Sequence, residues 1–309
     1  MKIEAIDFII RHPQMEDAKE VTDLVALCDI EEIGEPDISL SDTLDMWNSF
    51  QLETDVWLAV SPANKIIGYA FVEVTGESRM DTCVFVHPQF KNHGIGSSLL
   101  TKVEERALVL ASESKGEQKL MNQIPFTNTS ARNLVEARGY QFSRLYKRMK
   151  INLMEQPKQL HFPAGTAIST FKPDQDEETL FEVYDETFRD SWGYAKKEFS
   201  TWIHQKKGED YDPTLWYIVW EGTKPVAFLM SRMQDDGLFI DLLGVKRPWR
   251  KQGIAQAMLL HVFQEAYRRG QHTILLYVDS DSLTNAHRVY YQVGMSPDSQ
   301  TAVYCKVLK

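Results

Sequence analysis

Leu243-Gly244-Val245-Lys246-Arg247-Pro248-Trp249-Arg250-Lys251-Gln252-Gly253-Ile254-Ala255 decides the reading of this chain, because the same pattern occurs twice. The earlier copy is Val84-Phe85-Val86-His87-Pro88-Gln89-Phe90-Lys91-Asn92-His93-Gly94-Ile95-Gly96. Each copy ends an apolar strand, turns through a proline, presents a cation and steps through glycine into an amphipathic helix. The first N–H groups of a helix have no partner within it, and the helix dipole adds partial positive charge there. Small residues at positions 253 and 255 let an anion approach that backbone, and Arg250 and Lys251 add charge, so the turn reads as a pyrophosphate cradle. It is not a P-loop, since no Gly-Lys-Ser/Thr ends it, and it lacks the third glycine of the dinucleotide fingerprint.

Outward from the turn the repeat holds its spacing. Gly94 and Gly253, Val86 and Val245, Trp57 and Trp216, and Asp17 and Asp176 all lie 159 residues apart (253 − 94). A spacing kept without a gap over that span argues for duplication of a whole domain. Past the glycine turn it slips: Gly139 matches Gly294 at 155 (294 − 139), which puts extra residues in the first copy near Ser112–Gln123. The chain has 309 residues, and length alone suggests about two domains of roughly 150. We expect domains at 1–151 and 166–309, joined by a linker at 152–165 that holds Pro157 and Pro163.

Composition narrows the class. The chain is 43% hydrophobic and 25% charged, as a globular protein is, and its net charge of −10 argues against a nucleic-acid partner. Cys28, Cys83 and Cys305 have no disulfide or zinc spacing. Met1–Arg11 is broken by Lys2, Glu4 and Asp7, and no run nears the roughly 20 apolar residues of a membrane span. The expectation is a cytoplasmic protein with no metal and no membrane partner, a monomer whose two halves form an intramolecular pseudo-dimer. Each half reads as strand, two helices, hairpin, motif strand, long helix, strand, short helix and final strand, the last being Ala302–Leu308 in the second half. That is an α/β (α+β) fold, a mixed and largely antiparallel sheet flanked by helices.

At this point the chain resembles a known family. Val245 to Ala255 reads Val-x-x-Pro-x-Arg-x-x-Gly-x-Ala, which resembles the acetyl-CoA-binding signature of the GNAT acetyltransferase superfamily. Asn285-Ala286-His287-Arg288-Val289-Tyr290-Tyr291-Gln292-Val293-Gly294-Met295 resembles that family's second hallmark, slightly shortened. The resemblance covers nearly the whole chain as two tandem GNAT-like domains. Leu276-Tyr277-Val278-Asp279, Ser191-Trp192-Gly193 and Gly34-Glu35-Pro36-Asp37 look like tandem members of the mycothiol synthase type. It implies transfer of an acetyl group from acetyl-CoA, as co-substrate, to a primary amine of a small molecule by direct attack. It also implies that the strand Leu243, Gly244 and Val245 binds the pantetheine arm, that Arg250, Lys251, Gln252, Gly253, Ile254 and Ala255 hold the pyrophosphate, and that Asn285 caps a helix beside that arm.

Direct attack needs a base for the ammonium and an acid for the departing thiolate. Asp241 is the candidate base: it interrupts Leu238–Val245, a strand apolar on both faces, and simple alternation puts it with Phe239, Leu243 and Val245. Tyr290 is the candidate acid, since it matches the family's tyrosine. Each has a plainer reading, Asp241 as a structural hydrogen-bonding group and Tyr290 as a packing aromatic. In the first half Thr82 stands at the position of Asp241 and Val135 at that of Tyr290, while Asp81 is one residue off and is expected on the other face. The first half thus keeps a cradle (Val84, Val86, Lys91, Asn92, His93, Gly94, Ile95, Gly96) without the catalytic pair, and catalysis is expected in the second half alone. Aromatics and acids between Tyr184 and Tyr217 suggest a wall for a cationic acceptor. The competing functions are a non-catalytic acyl-CoA sensor or scaffold and a protein or peptide N-acetyltransferase.

Overall fold

The computed structural model describes residues 6–158, 161–192, 194, 196–208, 210–234, 237–280 and 287–308. The chain parts into two units, Met1–Leu145 with Ser299–Lys309, and Tyr146–Asp298. Among the described residues no helix is long and apolar enough to cross a membrane.

In the first unit a short strand, β1 (Ile9–Arg11), leads to α1 (Ala18–Ile33), α2 (Leu40–Ser49) and the single turn α3 (Leu52–Asp55). Ser39 opens α2 with a reciprocal cap: its Oγ accepts from the Asp42 amide at 3.1 Å and its own amide donates to Asp42 Oδ2 at 2.8 Å. Strands β2 (Val56–Val60), β3 (Ile66–Gly76) and β4 (Arg79–Val86) form an antiparallel meander. The long α4 (Ile95–Glu113) then returns the chain to β5 (Lys119–Pro125), which runs parallel to β4 and is followed by α5 (Thr129–Ala137). Strand β6 (Gln141–Asn152) begins here and carries the chain into the second unit.

The second unit repeats this plan. Strand β7 (Thr166–Thr170) precedes α6 (Glu177–Phe188) and α7 (Phe199–Lys206). Strands β8 (Trp216–Glu221), β9 (Lys224–Gln234) and β10 (Gly237–Val245) form the meander, and α8 (Ile254–Arg268) leads to β11 (Thr273–Asp279). Helix α9 (His287–Gln292) and strand β12 (Ser296–Val307) follow. Both sheets are covered on two faces. In the first unit Leu99, Leu100 and Val103 of α4 fill one side, and Val21, Leu24 and Val25 of α1 with Trp47 fill the other. In the second, Met258, Val262 and Phe263 of α8 and Leu180 and Val183 of α6 do the same.

The fold is the mixed, largely antiparallel class read from sequence, and the register slip has a simple cause. Helix α4 has 19 residues and α8 has 15, so most of the excess is one added helical turn. The ends of the units differ from the boundaries at 151 and 166. Residues Tyr146–Asn152 of β6 pair antiparallel with β11, and Thr301–Val307 of β12 pair antiparallel with β5. Each copy therefore gives its final strand to the other copy's sheet. Sequence pattern does not register such an exchange, because both strands answer the same need, an unpaired strand edge that must find backbone partners.

Candidate active site

Strand β10 pairs with β9 in register until one residue is left over. Ile240 faces Ser231 and Leu242 faces Met230, so Asp241 sits in a β-bulge. On its other side β10 pairs with parallel β11 only at Leu238–Ile274 and Phe239–Leu275. Beyond those pairs the two strands part, and backbone groups of β10 on that side are left for another partner. The bulge also changes which residues share a face. A Cβ on Gly244 would lie 2.4 Å from Thr187 Oγ1 of α6 and 2.5 Å from Phe228, so Gly244 faces α6, and its neighbours Leu243 and Val245 face the α8 side. Arg232 lies four residues from Phe228 on unbulged β9 and shares its face. Asp241 accepts from Arg232 Nε at 3.1 Å and therefore lies on the α6 side. The expectation that Asp241 shares a face with Leu243 and Val245 is thus corrected: the extra residue breaks the two-residue period.

The Asp241 side chain is 23% exposed. Burial raises its pKa above the ordinary value, while the charges of Arg232 and Lys206 pull against that shift. Lys206, the last residue of α7, has its ammonium pKa lowered by burial and raised by Asp241. Arg232 also reaches Asp210 at 3.4 Å and lies over the Phe239 ring, 5.4 Å from its centroid. Sequence reading missed Arg232 and Lys206. The available signal was Arg232 among the apolar residues of β9, opposite a strand that itself holds a lone carboxylate.

The glycine step is built for an anion. Gly253 caps α8 at φ +87° with no side-chain hydrogen bond to the first turn, and Lys251 has φ +62°. A Cβ on Gly253 would meet nothing within 4 Å, so glycine is needed here for its backbone angle and the space before it is open. Arg250 Nε donates to the Val245 carbonyl at 2.8 Å, which ties its guanidinium to the end of β10. Gln252 turns back to the Pro248 carbonyl at 3.0 Å, Ile254 is buried and Ala255 is half-buried. With Lys251 alongside Arg250, this uncapped start of α8 fits a diphosphate through its first N–H groups and positive charge.

Tyr290 of α9 is 8% exposed, and burial pushes its phenol up to about 12, so it keeps its proton at neutral pH. Asn285 lies outside the described residues. The aromatic and acidic wall resolves into core and ion pairs. Trp202 and Trp216 are buried, Tyr184 packs 4.9 Å from Trp202, Asp185 pairs with Arg189, Glu186 with Lys246 and Asp190 with Arg247.

The first unit keeps the same turn with a different charge. Asn92 (φ +66°) and Gly94 (φ +83°) repeat the angles of Lys251 and Gly253, Ile95 is buried at the start of α4, and a Cβ on Gly96 would meet Val86 at 3.5 Å. The His93 ring donates to the Lys91 carbonyl at 2.8 Å. Lys91, however, is bound by Glu31 and by Glu32 at 3.2 Å. Burial pulls its ammonium pKa down, and the two carboxylates more than reverse that. Val84 and Val86 line a cavity of about 340 Å³ together with Val135, which occupies the site of Tyr290: the Tyr140 amide donates to Val135 as the Met295 amide does to Tyr290. Asp81 shares a face with Cys83 and Phe85 on the α1 side, opposite Val84 and Val86 as alternation predicts, and because Asp241 itself turns to the α6 side the two carboxylates lie on matching faces of their units. Asp81 is held by Arg79 at 2.7 Å and by Thr75.

Comparison with known proteins agrees with this geometry. The model of the acetyltransferase (GNAT) family matches residues 177–295, and that of an acetyltransferase (GNAT) domain matches 53–142. A GCN5-related N-acetyltransferase from Sphaerobacter thermophilus superposes with a TM-score of 0.89 at 30% identity, over 98% of this chain and 96% of that one. The chain belongs to the GNAT family. A tandem GNAT protein from the clavulanic acid biosynthesis pathway shares the fold, with a TM-score of 0.73 at 13% identity over 98% of this chain and 99% of that one. Mycothiol acetyltransferase of Frankia casuarinae is 23% identical over 246 residues, 75% of this chain and 70% of its own length. This tandem GNAT protein is thus an acyl-CoA-dependent N-acetyltransferase, and the fold implies acetyl-CoA as co-substrate. Among the described residues no group of three or more His, Cys, Asp or Glu is arranged to hold a metal ion.

Proposed function

We propose that the second unit transfers the acetyl group of acetyl-CoA to the primary amine of a small molecule, and that the first unit does not catalyse this reaction. One observation carries the reading: the cationic, uncapped start of α8 lies at the end of the strand that is bulged at Asp241 and parted from β11. Arg250, Lys251 and the first N–H groups of α8 hold the diphosphate. The parted edge of β10 around Leu243, Gly244 and Val245 offers backbone donors and acceptors to the pantetheine arm and to the thioester oxygen, where negative charge develops. Asp241, raised by burial and steadied by Arg232, takes the proton from the ammonium so that the amine can attack. Tyr290 retains its proton at neutral pH and delivers it to the thiolate that leaves. The first unit has Val135 in place of that tyrosine, and its own carboxylates neutralise its cradle.

The relatives named as mycothiol acetyltransferases support a small-molecule acceptor. The test is release of free thiol from acetyl-CoA in the presence of a panel of small amines and of unstructured peptides. Amine-dependent release that disappears in Arg250→Glu supports the proposal. Release with peptides alone makes the protein a peptide acetylator, and no release from protein that still binds acetyl-CoA makes it a sensor.

A further inference from the structure

The first unit's cleft is not a faded copy of the second, because its floor is polar where the second unit's is apolar. At the floor, Thr82 of β4 pairs with Asn122 of β5. Counting from the parallel pairs Met80–Leu120 and Leu238–Ile274, the same two places in the second unit hold Ile240 and Leu276, both buried and apolar, so the bulge makes Thr82 the counterpart of Ile240 and not, as the constant spacing suggests, of Asp241. Asn122 is 2% exposed and lines the 340 Å³ cavity, yet its amide nitrogen has no hydrogen-bond partner among the described residues. A buried donor left unpaired is costly unless something meets it. At the mouth, Asp29 and Glu32 line the cavity, and Glu31 and Glu32 both bind Lys91, so two carboxylates hold the one ammonium and a third stands on the lining. Glu32 Oε1 accepts from Asn128 at 2.6 Å and from Lys91, while its buried Oε2 has no partner among the described residues. The rest of the lining is mainly apolar, with Val86, Leu100, Leu134 and Val135, and includes the hydroxyl residues Ser97 and Ser130. A diphosphate would meet like charge at this mouth. A cation would find an acceptor waiting there, and an oxygen on the same molecule would find a donor at the floor.

We propose that the first unit's cleft binds a small organic amine, its ammonium at Glu32 and Asp29 and an acceptor oxygen at Asn122, and that it does not hold a CoA diphosphate. The volume, within the usual range for small-molecule pockets, admits a compact amine with a hydroxyl or carbonyl group. The site is separate from the transfer chemistry assigned to the second unit, and either assignment can fail alone.

Calorimetric titration of the full chain tests it, with acetyl-CoA and with a panel of small primary amines (glucosamine, cysteamine and ethanolamine among them). The variants are Asn122→Leu, which installs the residue of the other copy, and Glu32→Gln, which removes charge at nearly constant volume. Expected are one acetyl-CoA per chain in all three proteins, and at least one amine whose affinity falls tenfold or more in both variants. Two acetyl-CoA per chain, with one lost in Asn122→Leu, makes the cleft a second CoA site and overturns the proposal. A panel in which no amine responds to either substitution overturns it as well. Thiol release, measured on the same proteins, reports the second unit independently.

Discussion

Replacing Asp241 with asparagine separates a catalytic carboxylate from a structural one. Asparagine has the same shape and still offers an oxygen to Arg232 Nε, now 3.1 Å from the carboxylate, so the bulge and its hydrogen bond persist. What disappears is the ability to take a proton. General-base catalysis contributes roughly 10²–10⁴-fold, so kcat should fall by that factor, about 3–5 kcal/mol in the barrier. Stability should not fall with it. Burial raises the Asp241 pKa from its ordinary value of 3.8, so the folded protein holds this proton more tightly than the unfolded chain. That contribution is fully present below 3.8 and is lost as the pH rises through the raised value, so at neutral pH none of it remains for asparagine to remove. The assay is thiol release across pH, with thermal unfolding alongside. Wild type should lose kcat/KM on an acid limb lying above 3.8, and the variant should lack that limb. Unchanged kcat with a lower melting temperature would refute the reasoning: Asp241 would then be only the partner that Arg232 and Lys206 need.

Other outcomes follow from the same geometry. Tyr290→Phe keeps the packing of a residue that is 8% exposed and should lower kcat by roughly 10²-fold with little change in acetyl-CoA affinity; an unaltered rate and pH profile would remove its role as acid. Arg250→Ala removes a charged hydrogen-bond donor worth about 1.5–3 kcal/mol and should weaken acetyl-CoA binding roughly 10–100-fold, whereas Lys91→Ala should leave it unchanged. Equal effects at the two lysine and arginine positions would mean that both cradles bind the same ligand. Gly244→Ala drives a methyl group to 2.4 Å from Thr187 Oγ1, an overpacking that costs about 1–3 kcal/mol and should lower the melting temperature by roughly 3–10 °C. A melting curve identical to wild type would show that α6 does not press on β10 as described.

The duplicated turn was legible because glycine, proline and cation occupy fixed places in it, and a backbone that needs positive φ at positions 94 and 253 leaves that mark in sequence. Alternation placed the motif strand at Leu238–Val245, within a residue of β10. It failed at Asp241, where the doublet Leu242-Leu243 hides the added residue: both side chains are apolar on a strand covered on both sides, so no polarity change signals the bulge. In β4, which has no bulge at this point, alternation put Asp81 on the correct face, opposite Val84 and Val86. The roles of the acids between Tyr184 and Tyr217 were illegible for a different reason, since their partners Arg189, Lys246 and Arg247 are set by tertiary packing. Asn122 could have been noticed as a polar residue inside Leu120–Ile124, but only burial shows that its amide goes unmet.

The exchanged final strands have a consequence for the order of events at the ribosome. Residues up to Leu145 leave first, yet the sheet they build lacks the strand that borders β5 until residues beyond Ser299 follow. At about 5–20 residues per second, synthesis of Tyr146–Asp298 takes roughly 8–30 s, and during that time the edge of β5 is bare. The first unit emerges first but is completed last. A nascent chain stalled within the second unit would expose β5 as a template for any other strand, so this protein's hazard of misassembly lies in the half that carries no proposed chemistry.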